Sequence, residues 1–264
     1  MMNWNQLISA KRFGMEEFHE ERQENRSEFQ RDYDRLIFSA PFRRLQNKTQ
    51  VFPLPGSVFV HNRLTHSLEV ASVGRSLGDD VAKALLERHP ELQDSFLPEI
   101  GSIVSAACLA HDLGNPPFGH SGEKAISTFF SEGKGVRLKE KQPNGEQLSP
   151  MEWEDLTHFE GNANAFRILT HQFEGRRKGG FVLTYTTLAS IVKYPFSSSL
   201  AGTKSKFGFF ISEEESFQKI ATELGLTLLN EHPLKYARHP LVYLVEAADD
   251  ICYQMMDIED AYKL

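Results

Sequence analysis

The chain has 264 residues, of which 40% are hydrophobic and 25% charged, and its formal net charge is −7. This composition is typical of a soluble globular protein with one large domain or two small ones. The acidic balance argues against a chain that binds nucleic acid over its whole surface. The sequence has no run of about 18 apolar residues, which argues against a membrane span.

The chain start and the cysteines both predict a cytoplasmic location. Residues 1–6 have neither the basic segment nor the apolar segment of a signal peptide. Cys108 and Cys252 lie in apolar helical patterns, which is typical of buried reduced thiols and leaves no zinc-finger spacing.

The N-terminal region is rich in arginine, with acidic residues interleaved. We interpret most of these charges as a solvated helix face with ion pairs four residues apart, and expect a few of the arginines to serve phosphate. The arginines are Arg22, Arg26, Arg31, Arg35, Arg43 and Arg44, and the acidic residues are Glu20, Glu21, Glu24, Asp32 and Asp34.

Helical periodicity dominates the rest of the chain. Apolar residues at steps of three and four predict a helix from Asn62 to residue 89, a second over 98–113 that is capped by Gly114, and a short third over 120–130. Further helices are predicted over 162–172, 183–193, 212–224 and 240–263.

One polar segment, residues 133–149, interrupts this pattern with the turn signal Pro143-Asn144-Gly145 and predicts a surface loop or a hairpin. A two-stranded ribbon there is an open alternative. We therefore predict an all-α fold with room for a small β-ribbon, in a single domain over residues 1–264. The helical pattern stops at residue 264 without a cap, which favours the N-terminal part of a longer protein.

Four polar residues are candidates for one metal site. His111 and Asp112 end an apolar helix, while His66 and Asp249 lie where their own helices call for apolar residues. A buried carboxylate without a partner costs several kcal/mol, so an inward aspartate needs a cation or a donor. A single inward histidine is more often an ordinary core residue, but all four together favour a divalent metal.

Two further segments offer groups that transfer protons. His120 and Glu123 are three residues apart and therefore share a helix face, where they can orient water and pass a proton to a leaving oxygen. The alternative is a cap cluster at a helix start, because the positive end of the helix dipole stabilises Glu123. His158, just before another helix start, is a third candidate imidazole.

The last predicted helix carries Asp249, Tyr253 and Asp257 at spacings of four, so these residues share one face. A metal ligand, an aromatic ring and a second carboxylate in this order fit a nucleoside lying along the helix. The alternative is a polar helix face with one aromatic residue.

Five short motifs are spaced along the chain. They are residues 42–51 (FRRLQNKTQV), 62–67 (NRLTHS), 110–120 (AHDLGNPPFGH), 158–162 (HFEGN) and 247–253 (AADDICY). In this ordered set of motifs, the chain resembles the HD-domain deoxynucleoside triphosphate triphosphohydrolases, and specifically the bacterial dGTPases. The match is spread from about residue 29 to residue 260. The resemblance implies the helical HD-domain fold.

The resemblance also implies roles for the matching residues. The expected metal ligands are His66, His111, Asp112 and Asp249, and the expected catalytic residues are His120, Glu123 and His158. The expected substrate-binding residues are Gln50, Val51, Arg63, Asn115, Lys193, Tyr194, Lys206, Tyr253 and Asp257. Among these, Gln50 and Asp257 match contacts to the sugar 3'-hydroxyl, and Arg63, Lys193 and Lys206 match phosphate contacts.

The reaction of the resembled family is hydrolysis of dGTP, with other dNTPs as further candidates, to deoxynucleoside and inorganic triphosphate. The implied cofactor is a divalent ion (Mn, Mg, Fe, Co, Ni or Zn). The implied partners are copies of the same chain, as in a hexamer, and single-stranded DNA, for which the basic 134–141 segment and the N-terminal arginines are candidate contacts. The alternatives are another HD-type phosphohydrolase, such as a 5'-nucleotidase or an alarmone hydrolase, and a non-catalytic nucleotide-sensing or DNA-binding module.

Overall fold

Helices form most of the described structure, as the sequence predicts. The computed structural model describes residues 2–17, 26–49, 62–141, 145–175, 178–202 and 205–263. In chain order its α-helices are α1 (Trp4–Leu7), α2 (Glu28–Ile37), α3 (Ala40–Arg44), α4 (Arg63–Arg88), α5 (Ile100–Ala110), α6 (His120–Ser131), α7 (Pro150–Thr157), α8 (Gly161–Thr170), α9 (Tyr185–Ile191), α10 (Glu214–Glu223) and α11 (Val242–Lys263). The all-α fold predicted from the sequence is confirmed. No helix in these ranges has both the length and the apolar character that crossing a bilayer requires.

Short 3-10 helices and one small sheet complete these elements. The 3-10 helices are Leu45–Asn47, Pro90–Leu92, Leu97–Glu99, Lys134–Lys139, Ser198–Leu200 and Ile211–Glu213. The sheet consists of β1 (Leu228–Asn230) and β2 (Lys235–Tyr236), which pair antiparallel.

The core is built around α5, whose residues are almost all buried. Helices α2, α4, α9 and α11 pack against it, so no face of α5 remains for charged residues. This explains why its sequence is apolar all round until it ends at His111 and Asp112.

Helices α4 and α5 approach each other through glycines. A Cβ atom on Gly78 would lie 2.7 Å from the Cα of Gly101, and one on Gly74 would lie 2.6 Å from the Sγ of Cys108. Any larger residue at these positions would push the helices apart. The close contact therefore fixes the position of α4 on the helix that leads into His111 and Asp112.

The interpretation of the acidic N-terminal residues as a solvated face is wrong for Asp32. Its side chain is fully buried, where it accepts hydrogen bonds from Arg12 Nη1 at 2.7 Å and from the Thr184 backbone and hydroxyl. Arg12 also pairs with Glu28 and donates to the carbonyl of Val182. Because a buried guanidinium needs several acceptors, this network ties the N-terminal segment to α2 and to the start of α9. A surface ion pair does form between Arg26 and Asp34, but these residues are eight positions apart and not four, and Arg26 lies before α2 begins.

The ribbon considered for residues 133–149 does not occur in the described part of that segment. Lys134–Lys139 instead form a 3-10 helix, and the chain's small sheet lies further along, at β1 and β2. Helix α7 follows the segment and was not predicted. Its start is nevertheless encoded locally, because Ser149 and Glu152 form a capping box around Pro150.

His239 links the start of α11 to the N-terminal helix. Its Nε2 donates to the carbonyl of Leu7 at 3.0 Å, and its Nδ1 accepts from the backbone N–H of Leu241 at 3.2 Å. These two bonds require a neutral imidazole. Burial lowers the pKa of His239 to about 4, although the hydrogen bond to Leu7 opposes this shift.

We expect acid to destabilise the protein through His239. Between the ordinary pKa of 6.5 and about 4, the unfolded chain binds a proton at this imidazole and the folded chain does not. The free energy of unfolding therefore falls as the pH decreases through this window, by about 3 kcal/mol in total. His239→Gln keeps a donor for Leu7 but does not titrate, so its stability should depend less on pH.

Urea unfolding of both proteins near pH 7 and near pH 5 measures this difference. The other titratable groups are shared, so their contributions cancel in the comparison. An equal loss of stability in wild type and variant would contradict the role of His239.

Candidate active site

Three elements deliver the predicted metal ligands to one place. Asn62 caps α4 by accepting from the backbone N–H groups of residues 64 and 65, and this places His66 in the first turn with no exposed surface. His111 and Asp112 follow directly after α5, and Asp249 lies in α11. The helix–helix packing of α4, α5 and α11 therefore brings together residues that are 183 positions apart in the chain.

The four side chains, here called the ligand cluster (His66, His111, Asp112 and Asp249), lie close together. One ligand atom from each of the first three lies within 4.8 Å of the others. Asp249 Oδ1 lies 2.9 Å from His66 Nε2 and 3.4 Å from His111 Nε2. Two imidazoles and two carboxylates around a common centre form a donor set that suits a divalent cation.

The hydrogen bonding of the histidines fits a metal at this centre. His111 Nδ1 donates to the carbonyl of Cys108 at 2.6 Å, which leaves Nε2 as the ring nitrogen that faces the cluster. Among the described residues, the Nδ1 of His66 is a buried atom without a hydrogen-bond partner, and the carboxylate oxygen nearest to the Nε2 of His111 is Asp249 Oδ1, at 3.4 Å. Buried polar atoms without partners are uncommon in folded proteins, and a ligand or ion is one recognised reason for them.

Charge in the cluster is arranged around Asp112. It accepts from Arg63 Nη1 at 2.7 Å and from the side-chain amide of Asn115. Burial opposes ionisation of Asp112, but the imidazole of His111 and the guanidinium of Arg63 overcome this and lower its pKa. Burial likewise opposes protonation of His111, whereas Asp112 and Asp249 raise its pKa to about 9. The carboxylates are thus held ionised and available to a cation.

A second pair lies at the start of α6. His120 Nδ1 and Glu123 Oε2 are 2.8 Å apart, and Glu123 Oε1 accepts from the backbone N–H of Gly161 at 2.8 Å. The side chain of His120 is 86% exposed. Because Nδ1 is engaged by Glu123, Nε2 is the ring nitrogen that can exchange a proton with a bound molecule.

One cleft of about 580 Å³ contains most of the predicted site. Its walls include both basic and acidic residues together with the aromatic Tyr194 and Tyr253. Among the residues that line it are Arg63, His111, Asp112, Asn115, His120, Glu123, Glu160, Asn162, Lys193, Tyr194, Lys206, Glu246, Asp249 and Tyr253. His66, the remaining member of the ligand cluster, is buried beneath this surface.

The two predicted phosphate lysines are held by carboxylates. Lys193 Nζ lies 2.8 Å from Glu246 Oε1, and Lys206 Nζ lies 2.9 Å from Glu160 Oε1. For each lysine, burial lowers the pKa and its carboxylate partner raises it, and the net shift is upward. Both ammonium groups therefore stay charged in the cleft.

On the α11 side, the ring of Tyr253 lies 4.6 Å from the ring of His66, measured between centroids, and is 36% exposed. Asp257 is one helical turn further along α11 and is exposed. It does not appear among the described residues that line the cleft.

Of the remaining predicted site residues, one lies apart from the cleft and two lie outside the described residues. His158 bonds through Nδ1 to the backbone and side chain of Glu154 in its own helix, and it is not among the described residues that line the cleft. Gln50 and Val51 lie outside the described residues.

Several residues that line the cleft were missed in the sequence analysis, and three of them, Glu160, Asn162 and Glu246, hold other residues of the cleft. Glu160 and Asn162 stand beside His158 in the HFEGN motif, where the acidic residue before a glycine is a recognisable helix N-cap. Glu246 lies three residues before Asp249 and therefore shares its helix face. Helical spacing from Asp249 was a signal that could have found it.

Comparison with known proteins shows which family the chain resembles. Residues 63–179 match the HD domain family. Across 100% of its length the chain is 45% identical to a deoxyguanosinetriphosphate triphosphohydrolase-like protein of Synechocystis sp. and 46% identical to one of Pseudomonas aeruginosa strain LESB58. The chain belongs to the family of these HD-domain proteins. A deoxyguanosinetriphosphate triphosphohydrolase of Yersinia enterocolitica is 37% identical over 98% of the chain.

The alignments also define how much of these HD-domain relatives the chain represents. It spans 60% of the length of the Synechocystis protein, 58% of the Pseudomonas protein and 55% of the Yersinia protein. The HD match begins at Arg63 and so includes His66, His111 and Asp112, while Asp249 lies beyond its end.

We expect Asp249→Asn to lose bound metal, because an amide is a weaker ligand than a carboxylate and cannot balance the charge of a cation. The Asp249 carboxylate pairs with His66 and His111 of the cluster, so the fold should persist without its charge. Metal content after dialysis against Mn²⁺, measured by mass spectrometry, tests this. Asp250→Asn is the matched control, since Asp250 is the exposed neighbour in the same helix. Equal metal content in both variants would contradict the assignment.

Proposed function

We propose that this protein is a metal-dependent phosphohydrolase that converts dGTP, and other dNTPs, to deoxynucleoside and inorganic triphosphate. The observation that carries the proposal is the shared cleft, in which the ligand cluster, the His120–Glu123 pair and two charged lysines face one space. The names of the related proteins support the same substrate class.

In this proposal the ligand cluster holds a divalent cation. The bound ion would supply Lewis acidity, which lowers the cost of negative charge that develops on a phosphate in the transition state. Two imidazoles and two carboxylates accept Mn, Fe, Co, Ni or Zn, and Mg less readily. Arg63 donates a hydrogen bond to Asp112, and this ion pair holds the carboxylate in one orientation.

The His120–Glu123 pair is proposed to move the proton. Glu123 is itself held by the backbone N–H of Gly161, so it orients the imidazole through Nδ1 and stabilises its protonated form. Nε2 then either donates a proton to the departing 5'-oxygen or accepts one from the attacking water. Both roles need the same placement beside the α-phosphate.

The triphosphate is proposed to lie along Lys193 and Lys206, whose ammonium groups balance its negative charge. The sugar is proposed to pack on Tyr253, with Asp257 and Gln50 at its 3'-hydroxyl. We also propose that the full-length protein assembles into homo-oligomers and contacts single-stranded DNA.

Product analysis tests the reaction directly. The protein is incubated with dGTP and Mn²⁺ or Mg²⁺, and the products are separated by anion-exchange chromatography. We expect deoxyguanosine and inorganic triphosphate in equal amounts, because attack at the α-phosphorus releases the nucleoside in one step. Pyrophosphate or single phosphate would instead indicate another HD-type phosphohydrolase, and binding without products would indicate a sensing module.

We expect His120→Ala to slow turnover by about 10²–10⁴-fold, which is the usual contribution of a positioned acid or base. Metal content should not change, because His120 pairs with Glu123 and not with a member of the ligand cluster in the described structure. His89→Ala is the matched control, since His89 also pairs through Nδ1 with a nearby glutamate, Glu91, but lies outside the cleft. Full activity of His120→Ala would rule out the proposed role.

A further inference from the structure

Three consecutive residues at the start of α8 each hold a different part of the cleft. Glu160 binds Lys206, the N–H of Gly161 binds Glu123, and the side chain of Asn162 binds the backbone at residues 191 and 193. The HFEGN motif thus joins the proton-transfer pair and both lysine segments. None of these contacts is explained by the need to form α8 alone.

The side chain of Glu160 is almost fully buried, and only 4% of the residue's surface is exposed. One carboxylate oxygen, Oε2, caps α8 by accepting from the N–H groups of Asn162 at 2.6 Å and Ala163 at 3.1 Å. The other oxygen, Oε1, accepts from Lys206 Nζ at 2.9 Å. Each oxygen therefore binds a different partner: Oε2 caps α8, and Oε1 binds Lys206, which lines the cleft.

Lys206 lies between two carboxylates as a result. Its Nζ is 2.9 Å from Glu160 and 3.6 Å from Glu123 Oε2, the same oxygen that binds His120 at 2.8 Å. Without Glu160, the flexible lysine side chain would be free to close this 3.6 Å separation and to pair with Glu123 alone. That pairing would neutralise the carboxylate that supports the imidazole and would remove the ammonium group from the phosphate path.

The surroundings of Gly161 show how closely the start of α8 packs against the residues of the cleft. A Cβ atom at this position would lie 1.9 Å from the Oδ1 of Asn115 and 3.0 Å from Oε1 of Glu123. The backbone of α8 therefore approaches both the loop after the ligand cluster and the proton-transfer pair. Glu160, the residue before it, is fixed by the same close packing.

We propose that Glu160 is a positioning residue that anchors Lys206 for the triphosphate and keeps it from neutralising Glu123. The proposal rests on the proposed function, because it gives Lys206 the task of binding phosphate. Glu160 itself touches neither the ligand cluster nor His120 in the described structure.

Two substitutions separate charge from shape. Glu160→Gln keeps the size and one acceptor for the cap but removes the charge, whereas Glu160→Asp keeps the charge and is also a strong N-cap. We expect Glu160→Gln to raise KM for dGTP by about tenfold with a smaller fall in kcat, and Glu160→Asp to recover most of this loss. A purely structural role as the cap of α8 instead predicts that kcat and the amount of folded protein fall together, with KM unchanged.

Glu213→Gln is the matched control. Glu213 is also buried, also precedes a helix and also pairs with a cation, Arg167, but it lies outside the cleft. Its substitution should leave KM unchanged. A rise in KM equal to that of Glu160→Gln would show that loss of any buried carboxylate has this effect, and would overturn the proposal.

A double-mutant cycle with Lys206→Met tests whether Glu160 acts through Lys206. If it does, kcat/KM of Glu160→Gln combined with Lys206→Met should match that of Lys206→Met alone within about twofold. Multiplied losses would mean that the two residues act independently, and would overturn the proposal.

Binding of inorganic tripolyphosphate in the presence of Mn²⁺, measured by calorimetry, gives a result that does not depend on hydrolysis. We expect Glu160→Gln to bind it about tenfold more weakly than wild type, and Glu213→Gln to bind it equally well. Failure of wild type to hydrolyse dGTP, together with this difference in affinity, would reject the proposed reaction and keep the role of Glu160. Equal affinities of wild type and Glu160→Gln, including no binding by either, would overturn the positioning role.

Discussion

The close contact between α4 and α5 is the constraint on which the site depends. Glycines at 74, 78 and 101 let the two helices touch, which places the first turn of α4 beside the last turn of α5. His66 and the His111-Asp112 pair sit on those two turns. Because helix cores are close-packed, a side chain at the glycine positions would shift these ligands by more than a metal site tolerates.

Buried polar groups have different surroundings in the Arg12 network and in the ligand cluster. In the Arg12, Glu28 and Asp32 network, the guanidinium is met by carboxylates and carbonyls, which matches a structural role. In the ligand cluster, His66 Nδ1 has no hydrogen-bond partner among the described residues, and the carboxylate oxygen nearest to His111 Nε2 is Asp249 Oδ1, at 3.4 Å. The contrast distinguishes a group that holds the fold together from one that is prepared to bind.

Much of the site could be predicted from the sequence, because each candidate broke a helical pattern. His66 and Asp249 occupy apolar positions, and His111 and Asp112 end an apolar helix, so periodicity alone identified them. Asp32 could not be recognised as buried, since its partner Arg12 lies in a segment with no periodic pattern. Glu160 was missed for a related reason: its partner Lys206 is 46 residues away and is brought near only by packing.

The fold was predictable to a similar extent. Long helices such as α4 and α11 carry enough periodic turns to be recognised, whereas the eight residues of α7 carry too few and show only their capping box. The small sheet was considered in the wrong segment because turn residues at 143–145 mark a reversal but do not specify strands. Pairing between β1 and β2 depends on long-range packing that no local pattern records.

The junction at Glu160–Asn162 has a consequence for how the chain tolerates insertions. These three residues contact Glu123, Lys193 and Lys206 directly. The start of α8 therefore fixes the positions of these cleft residues relative to one another. The chain between α6 and α7 adds no residue to the lining of the cleft in its described part. Changes of length there would leave the spacing of the cleft residues intact, so this segment can diverge freely while α8 cannot.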